Sequence, residues 1–182
     1  MNRKMKKWIF LILMVLAVGF FLLPGQNNYK EGDIVFQMSQ SQQSPLIQYA
    51  TASPWSHCGI VIEKKDGLYV LEASNVVKLT PLQKWIDRGR FNKVKKVRVI
   101  DEPIKVKYKK YLGIPYDLQF KFDNGKYYCS ELVWVIYKEQ FGKELCEPRP
   151  IKDYHTFGIE DKISKRGMKL DQMVVAPSDL IE

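Results

Sequence analysis

The sequence contains few residues that bind metals or form disulfides. Of its 182 residues, only three are cysteines, Cys58, Cys129 and Cys146, and only two are histidines, His57 and His155. Because no two cysteines have C-x-x-C spacing, a structural zinc site would need an unusual ligand set, and we predict no metal or other cofactor. An odd number of cysteines also excludes a disulfide framework that uses all of them, so at least one thiol needs another reason for its presence.

Long blocks of like charge, internal repeats and composition shifts of domain size are absent as well. The chain has 29 Lys and Arg against 20 Asp and Glu, a formal net charge of +9. Arg3, Lys4, Lys6 and Lys7 account for four of these charges, which leaves +5 of the +9 for the residues that follow. With 46% hydrophobic residues, the composition predicts one folded domain of enzyme size and does not favour nucleic-acid binding.

The four N-terminal cations precede an apolar run of 16 residues, 8–23, which is typical of an export signal. A helix of that length spans about 24 Å, slightly less than a bilayer core, although flanking lysines extend its reach by snorkelling. We predict that residues 1–25 are a single-pass anchor in the cell membrane, 26–31 a linker and 32–182 an extracytoplasmic domain, because flanking positive charges stay in the cytoplasm. No A-x-A-like cleavage site follows the run, which favours a retained anchor; cleavage with secretion and a buried core helix are the alternatives.

Short strands and helices alternate after the linker. Ser44 and Thr80 each precede a proline, and we predict both as helix N-caps. The patterns predict strands over 34–36, 57–62, 68–73, 94–100 and 173–176, and helices after Pro45, from Pro81 to Gly89, over 105–112 and from Cys129 to near Gly142.

His57 and Glu72 lie on the two strands of a predicted hairpin. If Lys64–Gly67 forms a four-residue loop, His57 lies opposite Ser74 and Glu72 is its diagonal neighbour on the same face. A two-residue turn pairs His57 with Val76 instead and keeps the same face. The carboxylate is then expected to accept a proton from Nδ1 and leave Nε2 for a nucleophile. Taken alone, an edge-exposed glutamate is the alternative interpretation.

Cys129 stands at the predicted start of the longest helix, where a thiolate is favoured. The alternative interpretation is a small buried apolar residue, and Glu131 in the first turn would slightly oppose a lowered thiol pKa. Cys58 is expected on the face opposite His57, in the core, and Cys146 has no base within sequence reach.

Five segments occur in an order found in one known superfamily: Gly32-Asp-Ile-Val-Phe36, Ser53-Pro-Trp-Ser-His-Cys-Gly-Ile-Val61, Val70-Leu-Glu-Ala73, Lys78-Leu-Thr-Pro81 and Tyr127-Tyr-Cys-Ser-Glu-Leu-Val133. Together they resemble the permuted papain-like hydrolases of the NlpC superfamily, in particular its YiiX-like group. The resemblance covers nearly everything after the apolar run, including Val175-Ala-Pro-Ser-Asp179.

The resemblance implies an α+β, circularly permuted papain-like fold, with a curved antiparallel sheet packed on the helix that carries the cysteine. It implies Cys129 as nucleophile, His57 as base and Glu72 as orienting carboxylate, with the histidine before the cysteine as the permuted branch requires. Tyr116, Tyr127 and Tyr128 are candidate substrate or oxyanion contacts, and aromatic packing beside the helix start is their alternative role.

The leading functional hypothesis is a thiol hydrolase that cleaves an amide of a cell-envelope peptide through a cysteine acyl-enzyme. A lipid acyl hydrolase or acyltransferase is the alternative, since a domain of charge +5 is attracted to anionic head groups. A non-enzymatic envelope binding module is the hypothesis from another class. The expected partners are therefore a peptide or lipid-amide substrate and the membrane.

Overall fold

The computed structural model describes residues 28–181. The predicted anchor, residues 1–25, lies outside this part of the chain, and no helix within it is long and apolar enough to cross a membrane. The strands and helices in chain order are β1 (Ile34–Gln37), α1 (Ser44–Thr51), β2 (His57–Lys64), β3 (Gly67–Ala73), β4 (Val77–Pro81), α2 (Leu82–Asp87), β5 (Val94–Val97), α3 (Cys129–Phe141), β6 (Arg149–Pro150), α4 (Glu160–Lys165) and β7 (Met173–Val174).

Five of the strands form an antiparallel sheet in the order β4-β3-β2-β1-β5, and β6 and β7 pair separately. In the β2–β3 hairpin Glu63 pairs with Leu68, which confirms the register predicted from the four-residue loop, although Lys64 and Gly67 also pair and leave a loop of only two residues, 65–66. Continued to the end of β2, this register places His57 opposite Ser74 and excludes the pairing with Val76.

The two faces of the sheet are covered by different helices, which explains why β1 is buried along its whole length. Apolar side chains of α3 pack on one face, against a set that includes Phe36, Cys58 and Ile60. The other face, which includes Val61 and Val70, packs against α2. The predicted α+β architecture, with an antiparallel sheet packed on the cysteine-bearing helix, is therefore confirmed.

The longest helix begins and ends where the sequence predicts. Its first residue is Cys129, and after Phe141 the chain leaves the helix through Gly142 in the left-handed conformation, with φ of 62°. Glycine adopts this conformation without strain, so it terminates the helix. Position 129 is thus at the N-terminus of α3.

The helix predicted over 105–112 is wrong, because this segment contains only one turn of 3-10 helix. Its backbone is held by side chains from elsewhere: the Val106 N–H donates to Glu31 and the Lys107 N–H donates to Gln140, both at 2.8 Å. Further along, the Tyr108 N–H donates to the Val106 carbonyl, and the Tyr111 and Leu112 N–H groups donate to carbonyls three residues back, so no α-helical turn forms.

The predicted N-caps at Ser44 and Thr80 are also wrong. Ser44 is already the first residue of α1, and its hydroxyl pairs with that of Ser56 at 2.5 Å. Thr80 belongs to β4, where its hydroxyl donates to Glu72. Both side chains bind partners distant in sequence, which local capping patterns do not reveal.

Two predicted strands are shorter than expected. The strand over 94–100 ends at Val97 and that over 173–176 ends at Val174. Beyond Val174 the next two backbone N–H groups donate to the Tyr128 hydroxyl and to Asp179, so they are not available to a neighbouring strand.

Candidate active site

Cys129, His57 and Glu72 come from three elements that meet at one end of the sheet. Cys129 begins α3 and His57 begins β2, whereas Glu72 is the last residue but one of β3. His57 and Glu72 face the side covered by α2, and α3 covers the opposite side. Because His57 is at the end of its strand, its ring still makes a hydrogen bond with the Cys129 thiol. The structure thus brings the three sequence-predicted residues together.

The imidazole is oriented opposite to the sequence-based expectation. His57 Nε2, not Nδ1, donates to Glu72 Oε2, at 2.6 Å. Nε2 is the ring nitrogen farther from the backbone, and it reaches Glu72 because Glu72 lies further along the sheet. Nδ1 is then left on the side of Cys129. A carboxylate that accepts a hydrogen bond from one ring nitrogen fixes the tautomer of the histidine and leaves the other nitrogen facing the thiol. The orienting contact is therefore the predicted one, but with the two ring nitrogens exchanged.

Glu72 is fully buried and accepts four hydrogen bonds, which excludes an edge-exposed glutamate. Besides His57, Thr80 Oγ1 donates to Oε1 at 2.6 Å, and Trp85 Nε1 and Arg88 Nη2 donate to Oε2 at 3.2 and 2.5 Å. Burial alone would raise the pKa of Glu72, but the bonds from His57, Arg88 and Thr80 outweigh it and hold this pKa well below its usual range. The carboxylate is therefore ionised at neutral pH.

Thr80, Trp85 and Arg88 were not among the residues that sequence reasoning assigned to the site. They belong to β4, to α2 and to the residue after α2. The sequence offered one signal for these three residues: a Thr-Pro pair, typical of a helix start, follows shortly after a glutamate in an otherwise apolar strand. Their convergence depends on how α2 returns across the face of the sheet.

The Cys129 thiol is surrounded by hydrogen-bond donors. The thiol of Cys58 donates to it, and this bond, followed by those from His57 and from the Cys58 backbone N–H, lowers the pKa of Cys129 well below its ordinary value despite burial. Burial opposes a charge on His57, but the bonds to Cys129 and Glu72 raise its pKa to about 9. Both pKa shifts favour a thiolate–imidazolium pair.

Cys58 lies in the core on the face opposite His57, as predicted, and its side chain is fully buried. Its contact with Cys129 was not foreseen from the sequence, because it requires α3 to begin directly over β2. Burial and the neighbouring Cys129 raise the pKa of Cys58 well above its ordinary value, so it remains a thiol and a donor.

Glu131 opposes the thiolate less than its position suggests. Its carboxyl group is buried in the first turn of α3, and burial raises its pKa to about 8. At neutral pH the group is mostly protonated and nearly uncharged. One of its oxygens accepts the Tyr128 N–H at 3.4 Å, so it also caps the helix that carries Cys129.

A polar cleft of about 560 Å³ opens on the His57 side of the site. Tyr116 is in its wall, and its pKa is raised first by burial and then by the charge of Cys129, so this ring lies near the thiolate. The other lining residues are mostly small and polar: Ser39, Gln40, Ser41, Gln43, Ile47, Ser56, Ala73, Ser74, Asn75, Arg88 and Leu118.

An apolar pocket of about 100 Å³ opens on the Cys129 side. Tyr128 is in its wall, fully buried, and its hydroxyl accepts the Val175 N–H at 3.0 Å. Most of the remaining wall consists of apolar side chains: Leu46, Ile47, Ala50, Phe120, Ile151, Ile159, Ile163, Met168, Val174 and Pro177. The third predicted tyrosine, Tyr127, packs edge to face on Tyr111 with ring centroids 5.8 Å apart, outside both cavities.

A thiolate at a helix start, an imidazolium and an orienting carboxylate on an antiparallel sheet are the features of papain-like thiol hydrolases. Here the histidine and the carboxylate precede the cysteine in the chain. Residues 28–181 match the model of the permuted papain-like amidase enzymes of the YaeF/YiiX, C92 family, and the chain belongs to this family.

Two relatives extend over most of the chain. It is 32% identical over 191 residues to the uncharacterized protein YiiX of Escherichia coli strain K12, an alignment that covers 98% of this chain and 92% of YiiX. The crystal structure of the metalloprotein YiiX from Escherichia coli O157:H7 superimposes with a TM-score of 0.77 at 34% identity, over 85% of this chain and 92% of that one.

Because that relative is a metalloprotein, the arrangement of donor side chains in this chain bears on whether it can hold a metal. Among residues 28–181 no group of three or more His, Cys, Asp or Glu side chains is arranged to hold a metal ion. His57 uses one ring nitrogen for Glu72 and makes its other bond to Cys129. The residues of this site therefore do not fit a metal centre.

Proposed function

We propose that this protein is a thiol hydrolase that cleaves an amide bond through an acyl-enzyme on Cys129. The thiolate attacks the carbonyl carbon, and His57 transfers its proton to the leaving nitrogen as the C–N bond breaks. His57 then removes a proton from water, the hydroxide attacks the thioester, and the acid and the thiolate are released. The observation that carries the proposal is that His57 is hydrogen-bonded to Glu72 at 2.6 Å and lies close enough to Cys129 to lower the pKa of its thiol.

The tetrahedral intermediate places a negative charge on the former carbonyl oxygen. The backbone N–H of Cys129 is at the N-terminus of α3, where N–H groups have no intrahelical partner. We assign this N–H as one oxyanion donor. Tyr116, beside His57 in the polar cleft, is the candidate among the three tyrosines for direct contact with the substrate.

The polar cleft is large enough for a peptide-like leaving group, which supports a cell-envelope peptide as substrate. The N-terminal apolar run, as a membrane anchor or export signal, would bring the domain to such substrates. A non-enzymatic binding module would require neither a thiolate nor an orienting carboxylate, whereas both are built here from residues far apart in the sequence.

The apolar pocket supports a second candidate function, the hydrolysis or transfer of a lipid acyl group. Cys129 and Ser130 are in its wall together with apolar side chains from α1, α4 and β7. An acyl chain attached to the thiol would enter it, and each methylene buried contributes about 0.8 kcal/mol. The bond cleaved in this case is an ester or an amide whose acyl part is hydrocarbon.

The test uses the full-length protein and its Cys129→Ala variant with peptidoglycan fragments, and with N-acyl amides and acyl esters of increasing chain length. Products are identified by mass spectrometry. We expect Cys129→Ala to abolish hydrolysis, and a thiol-directed probe to label Cys129 faster than Cys146. If the variant retains full activity and the two thiols label equally, the hydrolase proposal is wrong. A rate that rises with acyl length supports the second candidate, and cleavage of peptides alone contradicts it.

A further inference from the structure

Arg88 is the second cation of the site, and the catalytic steps above do not use it. It follows α2, and its Nη2 donates to Glu72 Oε2 at 2.5 Å. Arg88 lines the polar cleft together with His57, and 42% of its side chain is exposed to solvent. Among residues 28–181, its other nitrogens, Nε and Nη1, have no carboxylate partner.

The polar cleft presents positive charge without a balancing carboxylate in its wall. His57 and Arg88 line it, and none of the lining residues is Asp or Glu. Glu72 lies beneath them and is fully buried, so its charge is not offered to a ligand. Ser74 also lines the cleft, and its buried hydroxyl has no hydrogen-bond partner within the described residues.

The relative positions of the four side chains place Arg88 on the side of the leaving group. Cys129 contacts His57, His57 contacts Glu72, and Glu72 contacts Arg88. The leaving nitrogen must lie near His57, which protonates it. A substituent carried by that nitrogen and directed away from the thiol therefore extends into the polar cleft toward Arg88.

We propose that Arg88 binds an anionic oxygen group, a carboxylate or a phosphate, carried by the leaving amine of the substrate. This inference rests on the proposed function, because it uses His57 to locate the leaving group. Guanidinium groups bind both anions through paired N–H donors. Where the apolar pocket holds a hydrocarbon acyl group, as in the second candidate function, the substrate class is an amide that joins this group to an amine bearing an acidic group.

Binding to the full-length Cys129→Ala variant tests this without hydrolysis. The probes are N-dodecanoylglycine against its neutral amide, N-dodecanoylglycinamide, and N-dodecanoylethanolamine phosphate against N-dodecanoylethanolamine. We expect at least one anion to bind about tenfold more tightly than its neutral partner, as for a hydrogen bond between charged groups. A double variant that carries Arg88→Gln in addition to Cys129→Ala is expected to lose this preference for the anion. Arg88→Lys in its place is expected to restore part of the preference.

Arg90→Gln is the matched control. Arg90 is exposed and lies outside the cleft, and its replacement by Gln removes the same charge as Arg88→Gln does. It is expected to leave the preference intact. Equal losses for anion and neutral partner in Arg88→Gln would overturn the inference and leave Arg88 as support for Glu72 alone. A preference for one anion identifies carboxylate or phosphate as the ligand. Anion-selective binding without hydrolysis by the parent protein would instead contradict the proposed function.

Discussion

Glu131, two residues after Cys129, makes folding stability depend on pH. Burial, followed by the nearby carboxylates of Asp117 and Asp123, raises its pKa from 4.5 to about 8. The folded protein thus keeps this proton over a pH range in which the unfolded chain has lost it. The stabilising contribution of the protonated group is complete below pH 4.5 and is lost as pH rises to about 8. Glu131→Gln keeps the size and the acceptor oxygen of the side chain but removes the titration.

The expected effect follows from the two pKa values. One pKa unit corresponds to about 1.4 kcal/mol, so burying the carboxyl group disfavours folding by roughly 3 kcal/mol at pH 7 relative to a group that does not ionise. We therefore expect Glu131→Gln to raise the free energy of unfolding by an amount of that order at pH 7. The gain should be small at pH 5 and larger at pH 9.

Urea unfolding of the full-length protein at pH 5, 7 and 9 measures this difference. Glu139→Gln is the control on the same helix: Glu139 is half-exposed, and its bonds from Lys110 and Tyr111 lower its pKa, so its replacement should slightly destabilise the protein. If the advantage of Glu131→Gln were the same at pH 5 and pH 9, the buried carboxyl group would not titrate as argued.

Two further variants test the electrostatics of the thiolate, with mass-spectrometric measurement of iodoacetamide labelling against pH. Glu72→Gln removes the carboxylate that keeps His57 protonated, so the onset of Cys129 labelling should move to higher pH; an unchanged onset would show that Glu72 does not act through the imidazole. Cys58→Ala removes the thiol donor to Cys129 and should shift the onset in the same direction, while Cys146→Ala should leave it unchanged. A Cys58→Ala profile identical to that of the parent would contradict the role of this donor.

Local patterns predicted the parts of the site that lie within one element or one hairpin. The alternation of side chains along two strands and an even-length loop place His57 and Glu72 on one face whichever turn forms. The apolar spacing after Cys129 and the glycine at position 142 predict both ends of α3. Each of these inferences depends on neighbours within about 15 residues, and the structure has all of them.

Contacts between distant segments could not be predicted in this way. The segment over 105–112 has helical spacing, yet its start is held by the side chains of Glu31 and Gln140, and its own backbone bonds do not form an α-helical turn. Thr80 has the sequence pattern of a helix N-cap, but its hydroxyl donates a hydrogen bond to Glu72 instead. The orientation of the His57 ring depends on the depth of Glu72 in the sheet, which a register alone does not specify.

The sequence by itself determined which residues carry thiol, imidazole and carboxylate chemistry, which face two of them share and which helix end holds the third, because these follow from short-range periodicity. Only the tertiary structure decided that His57, whose side chain faces the α2 side of the sheet, and Cys129, which begins the helix on the other side, meet at the end of the sheet. It also decided that Cys58 and Arg88 join them. The physical reason is that α2 and α3 each pack on one face of the sheet, and these two packings together set every distance across the site.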